Sequence, residues 1–277
     1  MSALGGGAGG GEEMNPTATI VGLVIMLVAL AATFVVGGLG AALVRVGIII
    51  GGVLVGFGVH FVPVGGAPAA MGQAPGIATG VAMLAAGAGL AGLFGGAWAA
   101  ELGLGVALAG GAVGGGLMMA ITCMFVNIVY VFGMGIPSAS GKVDKDPITG
   151  DTFPAYKSQG TEGHGLPFIS YVGGVIGGAL GGLGGTLIYV QLLNFYEEML
   201  PAMLNASAEE ILPIAVSLAG IFAVGMFLVN AVIAAYNITG TIEGPHDPKF
   251  KRFPRAVVGA AIASAVCGLV AILIVAV

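Results

Sequence analysis

Residues 162–185 read EGHGLPFISYVGGVIGGALGGLGG, and the glycines of this stretch decide how the rest of the chain can pack. They recur at intervals of four in two rows: Gly173, Gly177, Gly181 and Gly185, and residues 174, 178 and 182. Residues four apart lie on one face of a helix, so the rows predict a helix with a stripe of bare backbone. In a membrane such a stripe lets neighbouring helices approach closely. We therefore expect the other helices to pack against this one.

The composition indicates an integral membrane protein. Of 277 residues, 57% are hydrophobic and 8% are charged, and the mean hydropathy is +1.06. A soluble domain has about 25% charged residues. This chain has too few charged residues to form a polar surface in water. The 53 glycines follow no Gly-X-Y period, which excludes collagen. We expect the lipid bilayer as a partner and no nucleic acid.

Seven apolar segments approach the roughly 20 residues that cross a bilayer. They are residues 17–36, 41–62, 77–99, 104–134, 168–193, 211–238 and 254–277. The sequence thus predicts an all-α polytopic bundle of about seven transmembrane helices. Residues 17–62 could also form one long broken helix. Residues 1–16 are expected to be a flexible acidic lead, and Arg45 is expected to extend its side chain to the membrane interface.

The basic residues predict the orientation. With alternating spans, the loops after residue 62, at 135–166 and at 239–253 share one side. Seven of the eight basic residues lie in or beside these loops, whereas the opposite loops hold five glutamates. Since basic loops stay in the cytoplasm, we expect a multi-pass protein of the cell membrane with its amino terminus in the cytoplasm and its carboxyl terminus outside.

A weak internal repeat relates residues 60–148 to residues 164–249. Three short matches occur in the same order at offsets between 101 and 104: His60/His164, Asn127/Asn230 and Asp146/Asp247. Two spans lie between the outer matches, so the copies would be parallel in the membrane. Coincidence in a chain of low complexity is the alternative.

Only neutral polar side chains are expected deep within the predicted spans. They are Thr122, Asn127, Tyr130, Thr186 and Asn230. Proton and sodium carriers usually have an ionisable group at this depth. Asn127 and Asn230 either hold helices together or supply neutral oxygen ligands to a hard cation such as sodium. The residues alone leave both interpretations open.

The predicted cytoplasmic side holds a second polar group. Its members are Glu162, His164, Glu243, His246 and Asp247. They could form a polar funnel at the mouth of an ion path, or a docking surface for soluble subunits. The simpler interpretation makes Asp146 and Asp247, each followed by proline, turn or cap residues, and His60 and His164 interfacial histidines.

No sequence motif predicts catalysis by this chain. GxSxG, Walker A, HExxH and a dinucleotide fingerprint are absent from the sequence. Cys123 and Cys267 lie in apolar segments without metal-ligand spacing, so we expect them to be small packing residues. The sequence therefore predicts no catalytic residue and no metal site.

Six segments of the sequence resemble those of a known protein family. They are HFVPVGGAPAAM (60–71), AAGAGLAGL (85–93), DPITG (146–150), GTEGHGLP (160–167), GVIGGALGG (174–182) and FAVGMFLVNAVIAAYNITGTIEGPHDPKFKRF (222–253). The sequence from about 45 to 277 resembles the D subunit of the tetrahydromethanopterin S-methyltransferase complex of methanogenic archaea. Residues 1 to about 44 depart from that pattern, and within them residues 17–44 form an apolar segment. They are expected to add an amino-terminal span to a six-helix core at 45–277.

The resemblance implies a function for the whole complex. It transfers a methyl group from methyl-tetrahydromethanopterin to coenzyme M, through a corrinoid held by a partner subunit, and couples this to sodium export. The D subunit would help to form the sodium path beside other membrane and soluble subunits, without catalysing the transfer or binding a cofactor tightly. Two alternatives are a stand-alone secondary transporter and a non-conducting membrane scaffold.

Overall fold

A computed structural model describes residues 14–62, 89–133, 140–141, 144–153, 155–158, 161–165, 167–237 and 252–276. The helices are α1 (Pro16–Phe61), α2 (Ala91–Trp98), α3 (Leu104–Val126), α4 (Pro167–Leu204), α5 (Ala208–Asn237) and α6 (Phe253–Ala276). A 3₁₀ turn (Ala100–Leu102) precedes α3, and a π-helix (Asn127–Gly133) continues it. The strands are β1 (Ser140–Gly141), β2 (Ala155–Ser158) and β3 (Thr161–Gly165).

Helix α1 is a hairpin of two antiparallel arms. Its helical geometry breaks at Gly38, where φ is 67° and ψ is −162°. The Arg45 side chain donates to the Ala29 carbonyl at 2.6 Å. In a straight helix these residues would lie about 24 Å apart along the axis, so the chain must reverse between them. We call residues 16–37 the outer arm and residues 39–61 the inner arm.

Because of the hairpin, residues 17–62 form two crossing segments and not one long helix. Five helices in the described part of the chain are long and apolar enough to cross a membrane, and α1 is one of them. A straight helix of 46 residues would be about 69 Å long, more than twice the hydrocarbon core. Because α1 is folded back, the five helices provide six crossing segments. The predicted third span, 77–99, lies mostly outside the described residues, so the count of seven stays a prediction.

The glycine-rich helix α4 is the centre of the bundle, as the sequence predicts. It contacts α1, α2, α3, α5 and α6. One glycine row packs on the inner arm: a Cβ added at Gly177 would lie 2.5 Å from the Gly58 oxygen. The other row packs on α3: a Cβ added at Gly178 would lie 2.6 Å from the Gly115 oxygen. Gly185 departs from its row, since an added Cβ there would lie 3.0 Å from the Phe227 ring of α5.

The prediction that α4 ends near residue 193 is wrong. The helix continues through the predicted polar loop to Leu204. The reason is packing: Phe195, Tyr196 and Leu200 are buried in the main hydrophobic core, and the Tyr196 hydroxyl donates to the Ala271 carbonyl of α6 at 2.9 Å. Glu197 and Glu198 are exposed on the same turns. Helix α5 then begins at a cap in which the Ser207 backbone N–H donates to Glu210 at 2.9 Å.

A small sheet, which no pattern in the sequence indicated, lies in the predicted loop 135–166. The strands pair antiparallel in the order β1-β3-β2. Asp146 fixes the neighbouring segment to the start of α4, because its carboxylate accepts from the backbone N–H groups of Phe168 at 3.1 Å and Ile169 at 3.2 Å. It also accepts from Ile148 N at 2.9 Å. The prediction that Asp146 is a turn or cap residue is confirmed.

One end of the bundle brings together the end of the inner arm and the starts of α4 and α6. A Cβ added at Gly173, near the start of α4, would lie 2.5 Å from the Phe61 oxygen at the end of the inner arm. The His60 and Phe253 rings are 5.2 Å apart, which places the start of α6 there too. We call this the sheet end.

One observation agrees with the predicted repeat, which stays a prediction. The turns before α3 and α5 each contain a residue with positive φ, Gly103 at 100° and Asn205 at 50°. They lie 102 positions apart, within the range of the sequence offsets. Asn127 and Asn230 follow these residues by 24 and 25 positions, Asn127 at the start of the π-helix and Asn230 inside α5.

Candidate functional site

Asn230 joins two helices at the middle of the bundle. It is fully buried, and its amide donates to Ser264 Oγ of α6 at 2.9 Å and to the Met226 carbonyl at 2.8 Å. Gly52 of the inner arm faces the same pair, since an added Cβ would lie 2.7 Å from Asn230 Nδ2. Asn230 Oδ1 has no hydrogen-bond partner in the described part of the chain. Asn230 was expected either to hold helices together or to bind a cation. The structure shows a hydrogen bond that holds two helices together.

Arg45 contradicts two expectations. Its side chain is fully buried instead of reaching the interface, and it places a charged group within the spans. The guanidinium donates to the Ala29 carbonyl and Thr33 Oγ1 of the outer arm and to the Ala265 carbonyl of α6. The hairpin is the physical reason: the outer arm covers the path that the side chain would take to the interface.

Asn127 lies at the sheet end rather than beside Asn230. It is buried, with 7% of its surface exposed, and it begins the π-helix that also contains Tyr130. The Phe132 and Phe168 rings, 6.2 Å apart, place this π-helix beside the start of α4. Thr122 donates its hydroxyl to the Met118 carbonyl at 2.8 Å, one turn back in α3. The Thr122 hydroxyl thus donates its hydrogen bond within its own helix.

Two of the five members of the predicted cytoplasmic polar group lie in the small sheet. Glu162 and His164 belong to β3, where Glu162 is in register with Lys157 of β2 and His164 with Gly141 of β1. Both are therefore at the sheet end, near the π-helix. Glu243, His246 and Asp247 lie outside the described residues.

His60 is built into the helix contacts of the sheet end. It is fully buried, and its Nδ1 lies 2.8 Å from the Gly56 oxygen. Its Nε2 is 3.5 Å from the Asn237 amide. Asn237 also accepts from Arg255 Nε at 2.6 Å and donates to the Arg252 carbonyl at 2.8 Å. These contacts tie the inner arm, α5 and α6 together.

Three features were missed by reasoning from the sequence. The burial of Arg45 could have been suspected from its position seven residues after the glycine turn, because a short hairpin gives it a facing helix. Ser264 had no signal of its own, since small residues are common in every span. The π-helix depends on hydrogen-bond register, which residue types do not reveal.

The described residues contain no group of three or more His, Cys, Asp or Glu arranged to hold a metal ion. Cys123 is buried and Cys267 is half-buried, and both are free thiols. Cys123 packs with Met119 and Val59 in a second hydrophobic cluster. Within the described helices, the buried polar side chains are amides and hydroxyls, the His60 imidazole and the Arg45 guanidinium.

Comparison with known proteins gives a consistent result. The family model that describes the D subunit of tetrahydromethanopterin S-methyltransferase matches residues 41–264. The D subunit of this enzyme from Methanosarcina barkeri is 51% identical over 83% of this chain and 92% of its own length. The relative from Methanothermobacter marburgensis is 53% identical over 81% and 93%. The relative from Methanocaldococcus jannaschii is 42% identical over 82% and 94%.

The helical membrane bundle and the comparisons agree with the motifs in the sequence. The family match begins within the inner arm, at residue 41, so the whole outer arm precedes it. The chain therefore belongs to the family of tetrahydromethanopterin S-methyltransferase D subunits, and it is a membrane subunit of that methyltransferase complex of methanogenesis.

Proposed function

We propose that this chain lines part of a sodium path in the methyltransferase complex and does not itself catalyse methyl transfer. The transfer from methyl-tetrahydromethanopterin to coenzyme M would supply the free energy for sodium export. In this proposal the chain supplies neutral walls within the membrane. Partner subunits, membrane-bound and soluble, supply the reacting groups and the negative charge that a dehydrated sodium ion needs.

The observation that carries the proposal is the π-helix after α3. Single π-helical turns inside α-helices occur often at functional sites. This one contains Asn127 and Tyr130 and lies beside the start of α4 at the sheet end. Glu162 and His164 belong to β3 at the same end, where Glu162, together with Glu243 and Asp247, would gather cations. A path from the sheet end along α3 would thus meet first charged and then neutral polar groups.

The Asn230 side of the bundle is less suited to sodium. Arg45 and Asn230 contact adjacent residues of α6, Ala265 and Ser264. Two helical turns, about 10 Å, separate the backbone of Arg45 from that of Gly52, which faces Asn230. Because the guanidinium reaches Ala265, its charge lies within about that distance of Asn230. At an effective dielectric constant of about 20, two unit charges at that distance repel by about 1.7 kcal/mol. A cation at Asn230 would be disfavoured more than tenfold.

The corrinoid belongs to a partner subunit in this proposal. A corrinoid supplies a cobalt centre that accepts and donates the methyl group. His60 does not fit as its ligand, because both ring nitrogens face groups of this chain, Gly56 O and the Asn237 amide. The chain's own residues then act on the ion and on the packing of the membrane part.

Sodium dependence of the purified complex tests the path. Asn127→Ala removes an amide oxygen from the proposed wall, so the sodium concentration that gives half-maximal methyl transfer should rise by about fivefold or more. Asn230→Ala, the same change in the other asparagine, should leave that concentration within about twofold while lowering thermal stability. Both variants are measured in complex reconstituted into vesicles, with radioactive sodium uptake as a second readout.

The outcomes separate the alternatives. If Asn127→Ala leaves sodium dependence unchanged while Asn230→Ala raises it, the path follows the other side of the bundle and the proposal is wrong. If neither variant changes sodium uptake in fully assembled complex, the chain is a non-conducting scaffold. Sodium transport by the chain alone, in vesicles without other subunits, would favour a stand-alone transporter.

The negative charge of the path is tested separately. A hydrophobic carbodiimide, which reacts with carboxyls in lipid, should label another subunit, and sodium should protect that subunit from labelling. The described spans of this chain contain no carboxylate at mid-depth, since Glu197, Glu198, Glu209 and Glu210 lie at or near the ends of α4 and α5. Sodium-protected labelling of this chain within a span would contradict the assignment.

The orientation is part of the same proposal. We place the sheet end in the cytoplasm, because most of the basic residues of the sequence lie in or beside its loops. Cysteines introduced at Ser158 and Lys249 should then resist a membrane-impermeant thiol reagent in intact cells and react after lysis. Labelling of both positions in intact cells would reverse the orientation.

A further inference from the structure

Arg45 is a charged side chain whose partners are all neutral oxygens of this chain. Its guanidinium donates to the Ala29 carbonyl, Thr33 Oγ1 and the Ala265 carbonyl. These oxygens belong to the outer arm and to α6, so the side chain bridges both. In the described part of the chain no carboxylate forms a salt bridge with it. The positive charge is therefore solvated by dipoles alone.

Convergent carbonyl and hydroxyl oxygens are the type of ligand that small cations bind in proteins. Alkali and alkaline-earth ions in protein sites are held by carbonyl, hydroxyl and carboxylate oxygens, and selectivity filters replace the hydration shell of an ion by backbone carbonyls. Thr33 adds to this geometry, because its hydroxyl donates to the Ala29 carbonyl at 3.0 Å and its lone pairs stay available to a cation. In this structure the Arg45 guanidinium takes the place of that cation.

We propose that Ala29 O, Thr33 Oγ1 and Ala265 O form a cation site that Arg45 occupies as a tethered cation, closing it to free ions and fixing the outer arm to α6. Ala29 and Thr33 precede the matched family region at 41–264, whereas Arg45 lies within it. The tethered cation thus joins the added arm to the family core. The inference does not depend on whether the complex transports sodium.

Removal of the guanidinium tests the site. In purified complex, Arg45→Ala should lower the Tm by about 5–10 °C, because three oxygens lose their cation. Methylguanidinium, or sodium at high concentration, should restore more than half of this loss, and choline at the same ionic strength should not. Choline is too large for the space that the side chain leaves, so it controls for salt effects on the rest of the complex.

Ile48→Ala is the matched control. Ile48 is also fully buried, one turn after Arg45, and both side chains pack near Gly268: an added Cβ there would lie 3.2 Å from Ile48 Cγ2 and 3.7 Å from Arg45 Cγ. Its truncation leaves an apolar cavity without a cation site. Its Tm should fall and should respond equally to methylguanidinium, sodium and choline. If Arg45→Ala shows that same equal response, the proposal is wrong.

Two longer variants cover the case in which Arg45→Ala does not assemble. Arg45→Lys keeps a tethered cation, and Arg45→Met has similar length without charge. The proposal expects assembly of Arg45→Lys and loss of Arg45→Met. Normal assembly of Arg45→Met would show that the site needs volume and not charge, and failure of both would show that it needs the guanidinium fork itself. Either result overturns the tethered-cation site.

Discussion

Helix α4 and the outer arm of α1 are both apolar, yet the molecule uses them in opposite ways. In the most apolar window of α1, 17% of the residues are buried, against 61% in that of α4. The α1 window is also the more hydrophobic of the two. Val28, Leu27 and Val35 of the outer arm have 62%, 60% and 81% of their surface exposed.

The difference shows that hydropathy does not determine burial inside a bilayer. Lipid tails are as apolar as leucine, so a large aliphatic side chain gains little by leaving them. What decides burial is how closely two backbones can approach. Glycine allows α4 to contact five other helices. The valine- and leucine-rich outer arm buries few residues: Gly22 packs on Ile262 of α6, and Ala29 and Thr33 accept hydrogen bonds from Arg45.

The largest effect is expected where glycine backbones meet. Gly177→Leu puts a large side chain where an added Cβ alone would lie 2.5 Å from the Gly58 oxygen. Overpacking a tight core typically costs 1–3 kcal/mol, and here the facing atom is backbone, which cannot rotate away. The variant complex should lose subunits in the course of purification, as measured by gel filtration and subunit staining.

Gly225→Leu is the control for that variant. Gly225 lies inside α5, and a Cβ added there would meet nothing within 4 Å. The same substitution should be tolerated, because the new side chain faces open space and leucine favours helix more than glycine does. Loss of subunits from both variants would mean that any large residue disrupts insertion, and the contrast between α4 and the other helices would disappear.

An intermediate effect is expected at the hairpin turn. Gly38 has φ 67° and ψ −162°, a region that residues with a side chain adopt only at a cost of roughly 1–3 kcal/mol. Gly38→Ala should therefore lower the Tm of the complex by several degrees. Gly40→Ala should raise it slightly, because Gly40 is helical with open space around it. Equal changes in both would show that the arms are not held by this turn.

The sequence predicted the parts of the fold that depend on composition and on the recurrence of glycine every four residues. These include the membrane class, the central position of α4 and the two glycine rows on its surface. It failed where tertiary contact overrides local composition. Glu197 and Glu198 suggested a loop, but the buried aromatic residues beside them keep α4 helical. Arg45 suggested an interface, but the opposite arm covers it.

The sequence indicates which polar residues of the candidate site are buried. It does not indicate which of them lie close together. Asn127 and Asn230 are both buried, as their apolar surroundings suggested. Their separation could not be read from the sequence, since it depends on which helix each one faces. The partner of Asn230 is a serine, one of many small residues in the spans.

The smallest effect is expected for the contact between Asn230 and Ser264, whose side chains are 2.9 Å apart. Hydrogen bonds between membrane helices contribute about 0.6 kcal/mol on average, because the separated helices also find partners in lipid. Asn230→Ala and Ser264→Ala should each lower the Tm slightly, and the double variant should fall short of their sum by about 2 °C. Thr186→Val serves as the unconnected control with Asn230→Ala, because Thr186 donates instead to the Gly92 carbonyl at 3.1 Å; this pair should be additive. A coupling several times larger for Asn230 and Ser264 would mean that both hold a third group between the helices, and it would return Asn230 to the candidates for a cation ligand.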